Sequence, residues 1–366
     1  MALDKRLAGN APLKGRGAVG NPQHRFDALT REAFDDGWSL DTDAGEATAA
    51  LRTQITEELA KSILTRNQSP DLPFGLSLNP YRGCEHGCTY CYARPTHSYL
   101  NLSPGLDFEA RIFAKVNAPE LLSKALSRPD YRCEPIAFGV NTDAYQPVER
   151  RYRITRRLLE VCEAFGQPVG LITKSARIEN DLDILVRMAS RRLVHVTMSI
   201  TTLDSSVSRS MEPRTSAPAR RVETVRRLAA AGIPVSVNVA PIVPFLTDHE
   251  LERILETVAE VGAEGASYIV LRLPWEVLGI FGDWLEAHFP LKAAHVMSRV
   301  KALRDGKAND PRFGSRMTGE GVYADLLRQR FETTCRRLGL DRGGRQRMRT
   351  LDVTRFKAPS GQQDLF

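Results

Sequence analysis

The chain has 366 residues, 42% of them hydrophobic and 26% charged, with a formal net charge of +7. That is apolar material for one large domain or two ordinary ones; no run of about 18 uninterrupted apolar residues is present to span a bilayer, and the positive excess favours polyanionic partners such as nucleic acid. Met1-Ala2-Leu3-Asp4-Lys5-Arg6 leads into Gly and Pro instead of the apolar stretch of a secretory signal. Of the six cysteines three are clustered and three isolated, which fits a reducing, cytoplasmic address better than a disulfide framework.

Residues 1–45 carry Gly, Pro, Asp and scattered charge, as in Lys14-Gly15-Arg16-Gly17 and Asn21-Pro22, and read as a flexible basic N-terminal segment. Residues 46–64 alternate in a loosely helical way, and Pro70, Pro73 and Pro80 then break the chain. Leu76-Ser77-Leu78-Asn79 predicts a short strand, Phe108 to Val116 a strand or hairpin, and Pro119 opens a helix over Glu120 to Leu126. A regular rhythm follows. Strands are predicted at 136–140, 168–173, 194–200, 234–239 and 268–273, separated by helices at 149–165, 182–189, 218–231 and 248–261. Short β-branched runs alternating with amphipathic segments mean βα units on a parallel sheet. With the strand at 76–79 they make about six units, fewer than the eight of a closed barrel, so the expected fold is α/β, a partial TIM-like (β/α)6 barrel core over 46–275. A helical C-terminal extension (276–340) and a basic flexible tail (341–366) follow, the tail including Arg342 to Arg349.

The chemistry concentrates in Arg82-Gly83-Cys84-Glu85-His86-Gly87-Cys88-Thr89-Tyr90-Cys91-Tyr92-Ala93-Arg94-Pro95. Three thiolates spaced CxxxCxxC on one short loop hold three irons of a [4Fe–4S] cube and leave the fourth iron open to a small molecule. A structural zinc site with His86 or His97 as fourth ligand is the other reading of three thiols. Zinc sites, however, show paired knuckles and four closed ligands, and Cys133, Cys162 and Cys335 each stand alone.

With an aromatic before its last cysteine, the stretch resembles the radical S-adenosylmethionine (SAM) superfamily. The resemblance implies a cluster on Cys84, Cys88 and Cys91, SAM chelated at the open iron, reductive cleavage to a 5′-deoxyadenosyl radical, and an electron donor such as flavodoxin or ferredoxin. Ligands of parallel barrels sit at the carboxyl ends of the strands. There the candidates are Asn141-Thr142-Asp143 after the second strand, Lys174-Ser175 after the third and Ser199 with Thr201 ending the fourth. Glu212-Pro213-Arg214 lies on the loop beyond, Asn238 ends the fifth strand and Arg272 lies within the sixth. Lys174 is the expected partner of the SAM carboxylate, a point cation for a compact anion. Thr142, Ser175 and Ser199 are expected to hydrogen-bond its amino-acid part and ribose, and Asp143 and Arg214 complete the candidate set. By resemblance the backbone around Tyr92 contacts adenine. His195, alone inside a strand, reads as a packed core residue.

Cys-Tyr-Ala-Arg-Pro, Thr173-Lys174-Ser175 and Glu212-Pro213-Arg214 together look like the spore photoproduct lyase branch, over about residues 74 to 275. That branch carries a hydrogen-donating cysteine just beyond its second strand. Here the stretch is Val140-Asn141-Thr142-Asp143, without a thiol, which leaves tyrosines such as Tyr145 as the alternative relay. The resemblance, the charge and the tail point to a nucleic-acid substrate. The rival readings are radical modification of a protein or small molecule, and a non-catalytic metal-bound nucleic-acid-binding module. Finally, Gln362-Gln363-Asp364-Leu365-Phe366 resembles the short peptide with which bacterial proteins bind the replication sliding clamp, with Gln362, Leu365 and Phe366 as its anchors.

Overall fold

The computed structural model describes residues 12–27, 51–340 and 347–358. In chain order its strands are β1 (Gln54–Glu58), β2 (Leu64–Arg66), β3 (Leu76–Leu78), β4 (Tyr81–Arg82), β5 (Arg111–Lys115), β6 (Ile136–Phe138), β7 (Val169–Thr173), β8 (Val194–Ser199), β9 (Val235–Ile242) and β10 (Gly265–Val270). The helices are α1 (Leu106–Ala110), α2 (Ala118–Leu126), α3 (Glu149–Tyr152), α4 (Ile154–Phe165), α5 (Leu182–Ser190), α6 (Ser205–Met211), α7 (Pro218–Ala230), α8 (Leu251–Glu260), α9 (Val277–His288), α10 (Pro290–Ala302) and α11 (Val322–Leu338). The larger sheet runs β10-β9-β8-β7-β6-β3-β2, parallel from β10 to β3, with β2 antiparallel on β3. Its six parallel strands are the partial barrel; β1-β5-β4 form a small second sheet. No described helix is long and apolar enough to cross a membrane.

Alternation along the strands sets the two surfaces of the barrel wall. Register pairs Val196 with Val235 and Met198 with Val237 on the outward face, buried against the helices. The inward face pairs Gly170 with His195, Thr197 with Ser236 and Asn238 with Ser267. His195, 3% exposed, shares a 3.0 Å hydrogen bond with Ser236. The helices cover the outside with matched stripes: α4 buries Ile154, Leu158, Leu159, Cys162 and Phe165, and α8 buries Leu251, Ile254, Leu255 and Val258. Gly166 ends α4 at φ +63, a left-handed cap that a side chain would strain.

Several expected elements differ. The described part of 46–64 holds β1 and the first residue of β2, not a helix: Thr53, Ile55 and Thr56 are β-branched, and β5 offers β1 a parallel partner from Gln54↔Arg111 to Glu58↔Lys115. The expected strand at 108–116 begins as α1 and becomes β5 at Arg111. β9 runs past Asn238 to Ile242, and Arg272 lies beyond the end of β10 instead of inside it. Residues 12–27, read as flexible, pack on the cysteine loop, with Ala18 1% exposed. Of the expected flexible tail, 347–358 are also anchored: Lys357 N–H donates to Phe165 O (2.9 Å), Asp352 N–H to Arg192 O (3.0 Å), and Phe356 packs on Phe165 and Tyr131. The clamp-like peptide lies outside the described residues.

Met348 closes the amino end of the barrel. It lies against the inward face of β7, where a Cβ on Gly170 would stand 2.4 Å from its sulfur. Met348→Ala is expected to lower the unfolding free energy by about 2–3 kcal/mol, the scale of truncating a buried methionine, read as a lower urea midpoint at unchanged m value. An unchanged midpoint would show that the barrel floor is sealed without it.

Candidate functional site

The cysteine loop leaves β4 and folds back sharply because Gly83 and Gly87 take φ of +76° and +67°. A Cβ on Gly83 would lie 2.9 Å from Phe108 O, and one on Gly87 2.7 Å from Glu109 Oε2, so neither position accepts a side chain. The loop is held from behind by Arg94, which has no solvent exposure. Its guanidinium donates to Cys88 O (2.8 Å), Gly87 O (3.0 Å), Pro104 O (3.1 Å) and Gly105 O (2.9 Å), and pairs with the equally buried Glu109. Glu109 accepts the Gly17 and Ala18 N–H groups (2.9 and 2.8 Å), while Arg16 donates to the Glu109 carbonyl (2.8 Å). The N-terminal segment is thereby stitched to the loop.

A second buried pair supports the aromatic ahead of Cys91. Glu212 accepts from Tyr90 OH, Thr201 Oγ1 (2.8 Å) and Arg221. Burial pushes the Glu212 carboxyl up, and Arg221 with Lys174 more than offset this, so it stays ionised. The Glu212-Pro213-Arg214 loop is thus a backing for the cysteine loop: Thr89 N–H donates to Met211 O (3.1 Å) and Arg214 N–H to His86 O (3.3 Å).

Cys84, Cys88 and Cys91 line one cavity of about 430 Å³ at the carboxyl ends of the barrel strands, within the size range of small-molecule sites. Among the described residues no group of three His, Cys, Asp or Glu side chains is placed to hold a single metal ion. A four-iron cube makes no such demand, because each thiolate takes a different iron and the sulfurs surround a volume, not a point. Zinc fits worse: His97 shares its Nε2 with Arg111 O (2.9 Å) outside the cavity, and His86 Nδ1 faces Asp143 at 3.4 Å. Burial pushes the Cys88 thiol up to about 12, against the pull of Lys174, and pushes Cys84 well above the ordinary thiol range. Thiolates there need the positive charge of bound metal. The donor set fits a cluster.

The strand ends supply the facing wall. Lys174, Thr142, Asp143, Ser199 and Asn238 all line the cavity. The Lys174 ammonium sits 5.8 Å from the Tyr90 ring centre with no carboxylate in contact among the described residues. Burial pulls its pKa down, but Cys88, Glu212 and Asp143 outweigh that and it stays charged. Asp143 is spent on structure, accepting from Thr173 Oγ1 (2.7 Å), Lys174 N–H (2.8 Å) and Tyr145 N–H (2.9 Å). Burial alone would raise its carboxyl; His86 and these donors bring it to about 2. Thr142 Oγ1 donates to Tyr81 O (3.2 Å), and Ser199 O accepts from Arg221 (3.1 Å).

Two expected cofactor residues lie off the wall. Ser175 caps the turn after β7, its Oγ accepting from Arg177 N–H (3.2 Å). Arg214 is drawn behind the loop by Glu85 (3.2 Å) and Thr53 (3.1 Å). The far wall is made by Arg272, which the sequence reading had named, and by Leu72, Phe74, Arg316 and Met317, which it had not. There the Arg272 guanidinium lies 4.7 Å from the Tyr92 ring centre, and Tyr92 OH donates to Val140 O. Arg316 Nε donates to Asp71 (2.6 Å), and Val270 N–H to Met317 O (2.8 Å) covers the free edge of β10. Isolated arginines in irregular segments give no periodic signal.

Arg94→Met leaves the buried Glu109 without its guanidinium partner and is expected to destabilise the apo protein by about 3–5 kcal/mol, with loss of bound iron after reconstitution. Arg94→Met combined with Glu109→Met is expected to recover part of the stability but not the iron. Additive losses in this denaturation cycle would show that the two groups are not coupled.

Three comparisons bear on this site. The Radical SAM superfamily model matches residues 78–258. A protein of Mycobacterium tuberculosis (strain ATCC 25618 / H37Rv), carried there as uncharacterised, is 35% identical over 280 residues, 75% of this chain and 78% of the relative. A radical SAM Nα-GlyT isomerase of Pseudomonas phage M6 is 24% identical over 185 residues, 50% of this chain and 36% of the relative. Among solved structures, a spore photoproduct lyase variant with bound AdoMet and dinucleoside spore photoproduct superposes at a TM-score of 0.56, with 16% identity over 79% of this chain and 80% of the other, a likeness of fold. This chain belongs to the radical SAM superfamily, whose cofactors are a [4Fe–4S] cluster and S-adenosylmethionine.

Proposed function

We propose that Cys84, Cys88 and Cys91 hold the cluster, that Lys174 holds the carboxylate of SAM, and that the substrate is a nucleotide unit of a nucleic acid. One observation carries the reading: a single cavity joins the three thiols and Lys174 to a far wall bearing Arg272, a guanidinium with no carboxylate partner among the described residues. An arginine in that position forks onto a phosphate or similar anion. The net charge of +7 points the same way. So does the dinucleoside spore photoproduct bound in the lyase complex.

When bound and reduced, the cluster supplies the electron that splits SAM and yields a 5′-deoxyadenosyl radical. The chain's residues position and shield. Lys174 orients the amino-acid end, the Tyr92 ring sets the plane of Arg272, and Leu72, Phe74 and Ile172 keep the wall dry. Among the described residues the cavity holds no thiol beyond Cys84, Cys88 and Cys91. Cys133 sits at the other end of β6 with Gln167 (3.6 Å), and Tyr145 OH is tied to Asp181 (3.0 Å), so neither is placed as a hydrogen donor to the cavity. Superfamily members need a reductant; a flavodoxin or ferredoxin is the proposed one.

Anaerobic reconstitution is expected to give about four irons per chain and, with dithionite and SAM, 5′-deoxyadenosine that disappears in Cys88→Ala. Zinc without SAM cleavage would favour a binding module and sink the reading. Lys174→Met is expected to weaken SAM binding roughly 10- to 100-fold, the loss of one charge-assisted contact, with Lys174→Arg intermediate. Unchanged SAM affinity would remove Lys174 from the site. Salt-insensitive or absent oligonucleotide binding would turn the substrate assignment to a protein or small molecule.

A further inference from the structure

A second concavity, about 240 Å³, opens on the same face of the barrel, between the segments that follow β6 and β7. It adjoins the cluster cavity: Asp143 lines the first, Tyr145 the second. Four arginines line it, Arg150 from α3, Arg153 at the junction with α4, Arg156 in the first turn of α4 and Arg177 after β7. Two buried carboxyl groups, Glu149 and Asp181, lie with them, and both are already engaged. Glu149 accepts from Tyr81 OH and from Thr155 N–H (2.8 Å); Asp181 accepts from Tyr145 OH (3.0 Å) and Arg156 (3.2 Å). Arg156 is further committed to Asp183 (2.8 Å).

Arg150, Arg153 and Arg177 have no carboxylate partner among the described residues, although they share one concave rim. Burial also lifts the Glu149 carboxyl to about 7, which thins the negative charge beneath them. Three uncompensated guanidinium groups around one hollow repel each other until an anion enters, and their planar forks match phosphate oxygens.

We propose that this arginine pocket is a phosphate site that grips the backbone of the nucleic acid whose nucleotide enters the neighbouring cluster cavity. The proposal rests on the nucleic-acid reading above. It assigns the pocket a positioning role: the strand is held beside the cavity, without contact with the reacting atoms. A phosphate there carries no sequence information, so the grip is blind to base identity.

The test uses the reconstituted holoenzyme under anaerobic conditions and a fluorescent single-stranded oligonucleotide, with anisotropy titrations across a salt series. Arg150→Gln/Arg153→Gln/Arg177→Gln is expected to weaken binding about tenfold and to flatten the slope of log affinity against log salt by about 1 or more, near 0.7 for each lost phosphate contact on a single strand. The matching triple Lys variant is expected to recover most of the slope, and substrate-free 5′-deoxyadenosine formation is expected to stay at the wild-type rate in both. An unchanged slope in the triple Gln variant, with wild-type binding intact, would overturn the pocket assignment and leave the nucleic-acid reading standing. Orthophosphate or a 5′-mononucleotide binding as tightly as the oligonucleotide, and lost in the Gln variant, would overturn the backbone assignment in favour of a free phosphate ligand. A wild-type enzyme that cleaves SAM but shows no salt-dependent oligonucleotide binding would overturn both.

Discussion

The buried ion pair between Arg94 and Glu109 is the constraint on which the site depends. A guanidinium and a carboxylate are costly to remove from water, and the pair is tolerable only when nearly every donor and acceptor is used. Here they are used. Arg94 reaches carbonyls on both sides of Cys88, and Glu109 takes two amides from a segment more than 90 positions earlier. The loop's carbonyls are therefore fixed in direction before any cofactor arrives, and its thiols are aimed at one cavity. Residues 12–27, which look like solvated chain in isolation, become part of the same network through Arg16, Gly17 and Ala18.

The barrel explains why that cavity is polar on one wall and apolar on another. Outward-facing valines carry the packing energy, which frees the inward positions for small and hydrogen-bonding side chains such as Ser199, Ser236 and Asn238. An inward face of this kind cannot close itself by hydrophobic packing. Met348 fills the amino end at Gly170 and clusters with Phe74 and Leu72, which line the cavity, so the rest of the space stays available to a ligand. The incomplete barrel has free edges, and the segment around Arg316 and Met317 covers the one at β10 while adding an arginine to the cavity wall.

Charge is graded across the carboxyl face. Lys174 is held ionised beside Cys88 by the acidic groups around it, Arg272 stacks on Tyr92 at the far wall, and the arginine pocket lies one βα segment away. The overall excess of +7 is thus concentrated in part where strand ends and loops converge. Such an arrangement draws anions to the face and orders them once they are there.

The sequence by itself determined the six parallel units, because β-branched runs alternating with amphipathic segments leave few other ways to bury both strand faces. It also determined the three-thiol loop, because the ligand spacing is local. Lys174, Thr142 and Ser199 were legible for a related reason: a strand's last residue is placed at the carboxyl face by chain direction alone. Ser175 came from the same rule and Arg214 from the loop beyond the fourth strand; both lie off the wall, one capping its own turn, the other paired with Glu85. What only the tertiary structure decided is the set of contacts between residues far apart in sequence: Arg94 with Glu109, Arg272 with Tyr92, Met348 with Gly170, Arg177 with Arg150 and Arg153. β1 belongs with them, since its strand form is set by pairing with β5 more than 50 positions on. No period or motif encodes such contacts, because the pairing energy exists only after the barrel has brought the partners together.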